Sequence, residues 1–499
     1  MLSDYQRYRL YEILPGLSIW LTIIIAIVLS FTRPLVMIYI IIIFDVYWVL
    51  RVAYFSLYII VSWSRFRAAV KIHWFEQLQR EFSAWEKKIN VVFLPVYNEP
   101  WGVLQTTLEA LRRSSYPARQ IYVVISGEER QAEHWAELKQ KISQAYQGVF
   151  ADVLLYTHPQ GLPGEIPGKG SNIHHAEEQF KLFADEHGWS YSDIIISVFD
   201  VDTVAHPDYL AHLTCLYLRH PRPTRSSFQP VTLYNNNLWD SPAVLRIMAF
   251  GTTFWMLFSL ARLEHLVTFS SHSMSFQAAV DCGFHAKDII SEDSRIFFQC
   301  WLHYGGDYEV TPLYVPVSMD TVRDDRWFVS LKNLYLQQRR WAWGTENISY
   351  LLWQFRTHPA IRRWDKIVIL FHEWEGKWSW AVVTILITFL GRLPLWLADS
   401  AVRQSALFFN TPQILEILMQ LAMVGLLVST VMSMLILPPR PAGQRRHKYL
   451  YMILQWLLVP VSLFFFSSLP CLDAVTHLMF GRYLGFNVSA KKRAALKPA

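Results

Sequence analysis

The sequence predicts an α/β domain with a largely parallel sheet, set between an amino-terminal pair and a carboxy-terminal group of transmembrane helices. Three observations predict it. Apolar residues make up 53% of 499 positions, more than a wholly soluble chain of this length carries. They crowd into roughly the first 65 and the last 125 positions, at membrane-span lengths. The mixed, charged middle, large enough to bury its own core, alternates short β-rich runs with helical segments.

In chain order, Leu17 to Phe31 and Leu35 to Val61 are apolar and separated only by Thr32, Arg33 and Pro34, so they read as a transmembrane hairpin. A second apolar run directly after the first, with no small-residue cleavage site between, reads as an anchor and not a removable signal. Asp45 and Arg51 fall inside the second run, where they either pair across the bundle or snorkel. The runs Val91 to Val96, Ile121 to Ser126, Val153 to Thr157 and Ile194 to Phe199 are the strands. Gly161 to Gly170, broken by Pro163 and Pro167, is a loop suited to a donor or a mobile flap. Phe328, Leu331, Leu334, Tyr335 and Leu336 have the spacing of an interfacial helix.

Three more membrane candidates follow, near Trp378 to Trp396, Ile414 to Leu437 and Tyr451 to Leu469. Taken as full crossings they leave the basic tail Lys491, Lys492 and Arg493 outside, against the positive-inside rule. Either the last stretch, broken at Pro460 and Pro470, re-enters, or an earlier span is miscounted. The resulting division is 1–68 transmembrane hairpin, 69–325 cytosolic domain, 326–365 interfacial helices and 366–499 membrane helices with the basic tail. The expected location is a bacterial inner or plasma membrane, crossed several times.

The formal charge of +6 does not indicate nucleic acid. Its cations flank apolar runs, at Arg65, Arg67 and Lys71 and at Arg440, Arg445, Arg446 and Lys448. Cys215, Cys282, Cys300 and Cys471 are scattered without a CxxC or Cys/His cluster, which argues against a disulfide framework or a structural zinc.

Chemistry concentrates at five places. Asp200-Val201-Asp202 ends the apolar run Ile194 to Phe199, and two carboxylates there either cap a strand or hold a hard divalent cation with phosphates. Pro95, Tyr97 and Glu99 lie where a strand runs into a polar turn, the nucleotide edge of open α/β sheets. Lys169, ahead of Asn172 in the glycine-rich loop, is either solvated or neutralises a diphosphate. Ser291-Glu292-Asp293 opens a helix, so Ser291 or Asp293 caps it, and a carboxylate there is also placed to act as a general base. Gln337-Gln338-Arg339-Arg340-Trp341 offers an arginine for phosphate and a tryptophan for a sugar face.

Taken in order these segments resemble the D, DxD, TED and QxxRW series of processive family-two glycosyltransferases, the group of cellulose and hyaluronan synthases. The resemblance runs from about Asn90 to Gly344. It implies a GT-A fold with Mg²⁺ or Mn²⁺ on Asp202, and Asp200 near the metal or the ribose. Asp293 is then the base, Gln337 and Arg340 hold the donor pyrophosphate, and Trp341 and Glu292 meet the acceptor. Where the family places a base-binding aspartate after the second strand, this chain has Glu128 and Glu129, and Ser291 replaces the threonine of TED.

The implied reaction is an inverting transfer from a UDP- or GDP-sugar to a glycan or lipid-linked acceptor, with membrane lipids and an accessory export subunit as further partners. Trp374, Trp378 and Trp380 then either line a sugar path or form an interfacial aromatic belt. The competing readings are a single transfer to a lipid carrier, and a transporter whose cytosolic domain binds nucleotide without chemistry.

Overall fold

The computed structural model describes residues 3–485, so the basic tail at Lys491, Lys492 and Arg493 lies outside the described residues. Helix α1 (Asp4–Thr32) starts with a reciprocal cap, in which Ser3 Oγ accepts the Gln6 amide and the Gln6 side chain accepts the Ser3 amide. Arg33 alone separates it from α2 (Pro34–Ala69), whose proline lacks only an amide hydrogen that the first turn does not use. The 36 residues of α2 make a rod of about 54 Å, longer than the ~30 Å hydrocarbon layer. Its far end therefore reaches the sheet domain, where Ser62 donates to the carbonyl of Leu257.

The middle of the chain forms one eight-stranded sheet in the order β3-β2-β1-β4-β7-β6-β8-β5. The strands are β1 (Ile89–Val96), β2 (Ile121–Glu128), β3 (Asp152–His158), β4 (Ile194–Val198), β5 (Val204–Ala205), β6 (Ser226–Leu233), β7 (Ser273–Ser275) and β8 (Glu309–Ser318). β3, β2, β1 and β4 run parallel, and the chain leaves β1 toward β2 on one side and β4 on the other. That reversal opens a crevice beyond the carboxyl ends of β1 and β4. Successive β1 residues alternate between two cores: Val91 and Phe93 enter one, Val92, Leu94 and Val96 the other. The first core also takes Ile59, Met432, Ile436 and Trp456, so the feet of the apolar helices pack directly against the sheet domain.

The helices that carry the site are α3 (Lys169–Glu186), α4 (Ala243–Leu260), α5 (Glu292–His303) and α6 (Trp327–Ala342). Lys169 thus belongs to the first turn of α3, not to the glycine-rich loop where the sequence placed it. Helix α7 (Arg363–Ile385), helix α8 (Ala406–Ile436) and helix α9 (Leu469–Met479) complete the apolar part. Six helical stretches among the described residues are long and apolar enough to cross a membrane, and α4, absent from the sequence reading, is one of them. Its flanking strands β6 and β7 pair with each other, which keeps both its ends at the same sheet.

The stretch Lys448–Met479 turns back on itself. It starts against the sheet domain, where Lys448 Nζ donates to the Trp239 carbonyl and Gln444 to Asp240 at 2.8 Å. Midway, Phe464 meets Phe389 and Ser468 donates to the carbonyl of Trp380 at 3.1 Å. Its end comes back to the start of α1, where Arg9 donates to the carbonyls of Leu478 and Met479 at 3.2 and 3.0 Å. Departures from α geometry at Gln455–Leu458 and Phe464–Ser468, with Pro460 and Pro470, mark the reversal.

Polar groups join the apolar helices. Trp374 and Trp378 donate to Ser18 and Thr22 of α1 at 2.9 Å each, so these indoles tie two helices together. Arg51 pairs with Glu375 at 3.2 Å. On α9, Asp473 Oδ2 accepts from Tyr335 at 3.1 Å and Arg339 at 3.2 Å of α6, and its Oδ1 pairs with His477 at 2.7 Å. Asp473→Ala leaves Arg339 without this partner and lowers stability by about 1–3 kcal/mol, measured by thermal melting in detergent.

Candidate functional site

The crevice edge is built from short-range necessities. Glu99 Oε2 accepts the Tyr97 amide at 2.8 Å, closing the turn after β1, and Arg130 covers the Tyr97 ring at 4.4 Å. Pro95 sits on β1 just before this turn. Asp200 and Asp202 follow β4 directly, so one strand end presents both carboxylates at the same edge.

Lys169 organises the site. Its Nζ lies 2.8 Å from Asp200 Oδ1, 2.6 Å from Asp293 Oδ1 and 3.2 Å from Glu292 Oε1. Gly170 makes this approach possible, since a Cβ there would stand 2.7 Å from the carbonyl of Ala286 and 3.2 Å from Glu292 Cβ. The lysine side chain is only 12% exposed. Burial alone would lower its pKa, but Asp200, Asp293 and Glu292 outweigh it and hold the ammonium well above the ordinary lysine value.

Burial, then the adjacent Asp293 carboxylate, pushes the Glu292 carboxyl up to about 8. Folded Glu292 therefore keeps its proton to about pH 8, whereas the unfolded chain loses it near pH 4–5. The folded state binds more protons in that window, so stability falls as pH rises through it, by roughly 2–4 kcal/mol. Melting temperatures of the parent and Glu292→Gln proteins between pH 5 and about 8 check this, with the slope shallower in the variant.

The remaining carboxylates are held by neutral donors. Ser270 Oγ donates to Asp200 Oδ2 at 2.8 Å, and the Asp320 amide donates to Asp202 Oδ2 at 2.8 Å. Among the described residues no three His, Cys, Asp or Glu side chains form a ready metal cage. The donor set still suits a hard cation in part: Asp200 and Asp202 supply carboxylate oxygens from one strand end, and the other ligands would be phosphate oxygens and water.

The structure also locates residues that sequence reasoning missed. Tyr234, just past β6, is half-buried, and its phenol is raised by burial and then by Asp200, Asp202 and Asp293, with Arg340 opposing. Its ring centroid lies 5.8 Å from that of Trp341, and both line a small cleft with Gln337. Tyr234 is thus the link between the carboxylates, which raise its phenol, and the α6 residues Gln337, Arg340 and Trp341 on its other side. Ser291 does not cap α5 with its side chain; its Oγ donates instead to Glu346 at 3.1 Å, fastening the segment after α6 to the start of α5. No motif marks Tyr234 or Ser270, since their places depend on where β6 ends and β7 begins.

Glu128 faces inward. Its Oε1 accepts from Asn172 at 3.1 Å, while its Oε2 meets His158 and Arg130 at 3.2 Å each. Both oxygens thus knit the ends of β2 and β3 to α3. Glu129 is exposed and accepts the Gln160 amide at 2.7 Å. The thiols of Cys282 and Cys300, far apart in sequence, come within 3.4 Å of each other and remain free.

No family model matches this sequence, and no curated protein sequence does. Among solved structures the chain is similar to the mannosyltransferase PcManGT from Pyrobaculum calidifontis in complex with GDP-Man and Mn²⁺, at 13% identity over 86% of this chain and 100% of that one, with a TM-score of 0.42. It is also similar to S. aureus TarS 1–349 in complex with UDP-GlcNAc, at 12% identity over 69% of this chain and 90% of that one, with a TM-score of 0.33.

Proposed function

We propose that the chain is a membrane-embedded, metal-dependent inverting glycosyltransferase that moves a sugar from a nucleotide-sugar donor onto a growing glycan. The observation that carries this reading is the single ammonium of Lys169 shared by Asp200, Glu292 and Asp293, which come from two separate parts of the chain. A lysine so placed is a diphosphate site held closed by its own carboxylates. An incoming donor competes for it, and Asp293 is then released to accept a proton.

In the transfer, the acceptor oxygen bonds to the anomeric carbon as the bond to the diphosphate breaks, and Asp293 takes the hydroxyl proton. One displacement inverts the centre, so an α-linked donor gives a β-linkage. Lys169 and Arg340 receive the charge on the departing nucleoside diphosphate. Asp202 and Asp200 would hold a Mg²⁺ or Mn²⁺ ion, which supplies Lewis-acid neutralisation of that diphosphate. Tyr234 and Trp341 form the wall for the acceptor sugar.

In this reading α1, α2, α7 and α8 cross the membrane and Lys448–Met479 re-enters without crossing. The pairing of β6 with β7 and the return of Met479 to Arg9 support that count. The sheet domain then lies on the cytosolic side with Arg65, Arg67 and Lys71. Detergent-solubilised protein incubated with labelled UDP- and GDP-sugars and Mg²⁺ or Mn²⁺ tests the reaction. A long product establishes polymer synthesis, a single-sugar lipid establishes a lipid acceptor, and no product with any donor overturns the proposal.

A further inference from the structure

One short turn grips both halves of the carboxylate cluster. Thr268 Oγ1 donates to the main-chain carbonyl of Asp293 at 2.6 Å, and two residues later Ser270 Oγ donates to Asp200 Oδ2 at 2.8 Å. Between the α5 end that carries Asp293 and the β4 end that carries Asp200, this segment acts as a spacer. Its next residue, Ser271, is fully buried with φ +64°, a left-handed conformation that costs a serine free energy. Ser271 Oγ meets Thr203 Oγ1 at 2.8 Å. A strained turn persists only where its surroundings hold it.

His272 supplies that hold. Its Nδ1 lies 3.0 Å from the carbonyl of Phe269, closing the turn on itself. Its Nε2 lies 3.3 Å from the Nε2 of His285, whose Nδ1 is 2.8 Å from Glu177 Oε1. The His285 amide donates to the other Glu177 oxygen at 3.0 Å. His272, His285 and Glu177 are all 0% exposed, and the mechanism uses none of them.

Proton counting constrains this row. A carbonyl only accepts, so His272 Nδ1 carries a hydrogen, and the hydrogen bond between Glu177 and His285 Nδ1 holds a second. With only these two, the facing Nε2 atoms would present lone pair to lone pair. A third proton must lie between the rings, and its charge is balanced by Glu177. Burial, then His285, pushes the His272 imidazole down to about 3, so His272 meets the facing ring nitrogen as a neutral acceptor.

We propose that Glu177, His285 and His272 form a proton-sharing positioning triad that holds the strained Ser271 turn, and that through this turn they set the spacing of Asp200 and Asp293 for sugar transfer. The spacing clause rests on the glycosyltransferase reading; the holding clause does not.

The test is epistasis in the full chain. Glu177→Gln, which is isosteric, and His272→Asn are each made alone and together with Ser271→Gly, and read by melting temperature and by transfer kinetics. Each single variant is expected to melt lower and to lose about 10- to 100-fold in kcat at little-changed donor KM. Glycine takes a positive φ unaided, so Ser271→Gly restores most of both losses. If glycine restores neither, the triad does not act through the turn and the proposal is overturned. If the single variants melt lower while kcat stays intact, the spacing clause is overturned. If the parent protein transfers no sugar from any donor, the functional reading and the spacing clause fall together, while the melting comparison still decides the holding clause.

Discussion

Replacing Asp293 with asparagine lowers sugar transfer by about 100- to 10,000-fold, the range expected when a positioned general base is lost. The amide keeps the shape of the carboxylate and can still accept from Lys169 Nζ, which lies 2.6 Å from Asp293 Oδ1 in the parent protein. Folding is therefore retained. The variant also removes one of the negative charges that compete for Lys169, so binding of free nucleoside diphosphate should be kept or tightened. Product counting and a nucleoside diphosphate titration on the same preparation separate the two effects. Unimpaired turnover would remove Asp293 from the role of base.

A second large effect is expected from Lys169→Met. The methionine fills a similar volume but leaves Asp200, Glu292 and Asp293 without their shared cation. Removing one partner from a buried ionic group costs about 3–5 kcal/mol. Without the ammonium, negative charge at this cluster is less favourable, which has a definite sign: the variant is weakest at high pH and recovers as the pH falls. Transfer should be lost together with diphosphate affinity. A melting curve that shifts equally at pH 5.5 and about 8 would mean that the carboxylates do not depend on this lysine.

Sequence and structure agree where a local pattern decides the outcome. The strands β1, β2 and β4 lie within a few residues of the apolar runs that announced them, because a strand buried on both faces is apolar throughout, and β3, half-buried at the sheet edge, kept enough apolar residues to be seen. The segments holding Asp200, Asp293 and Arg340 open or end elements, and their residue types, taken with the ordered motif resemblance, brought them into view. β6 was not legible. Its sequence SSFQPVTL is fully buried yet polar, and its hydroxyls depend on partners far along the chain: Ser226 with Thr311 at 2.8 Å and Ser227 with Tyr308 at 2.7 Å. The partners of Glu128 were hidden for the same reason. A motif position suggests a role facing a ligand, but Asn172 and His158 turn that carboxylate inward. Helix α4 was missed because an apolar helix inside a sheet domain carries no periodic stripe when it is buried on most sides.

The contact between Asp473 and Arg339 spans 134 residues of chain, and it has a consequence for biogenesis. At about 5–20 residues per second, a ribosome finishes α6 some 7 to 27 seconds before it makes the residue that clamps it. Throughout that interval the nascent protein has its sheet and its carboxylates, but the helix bearing Arg340 lacks its anchor. On the proposed reading, sugar transfer waits until Lys448–Met479 has docked beside the first helix. On that reading, a chain stalled or cut before Leu469 consumes no donor while the rest of the apolar bundle is unfinished.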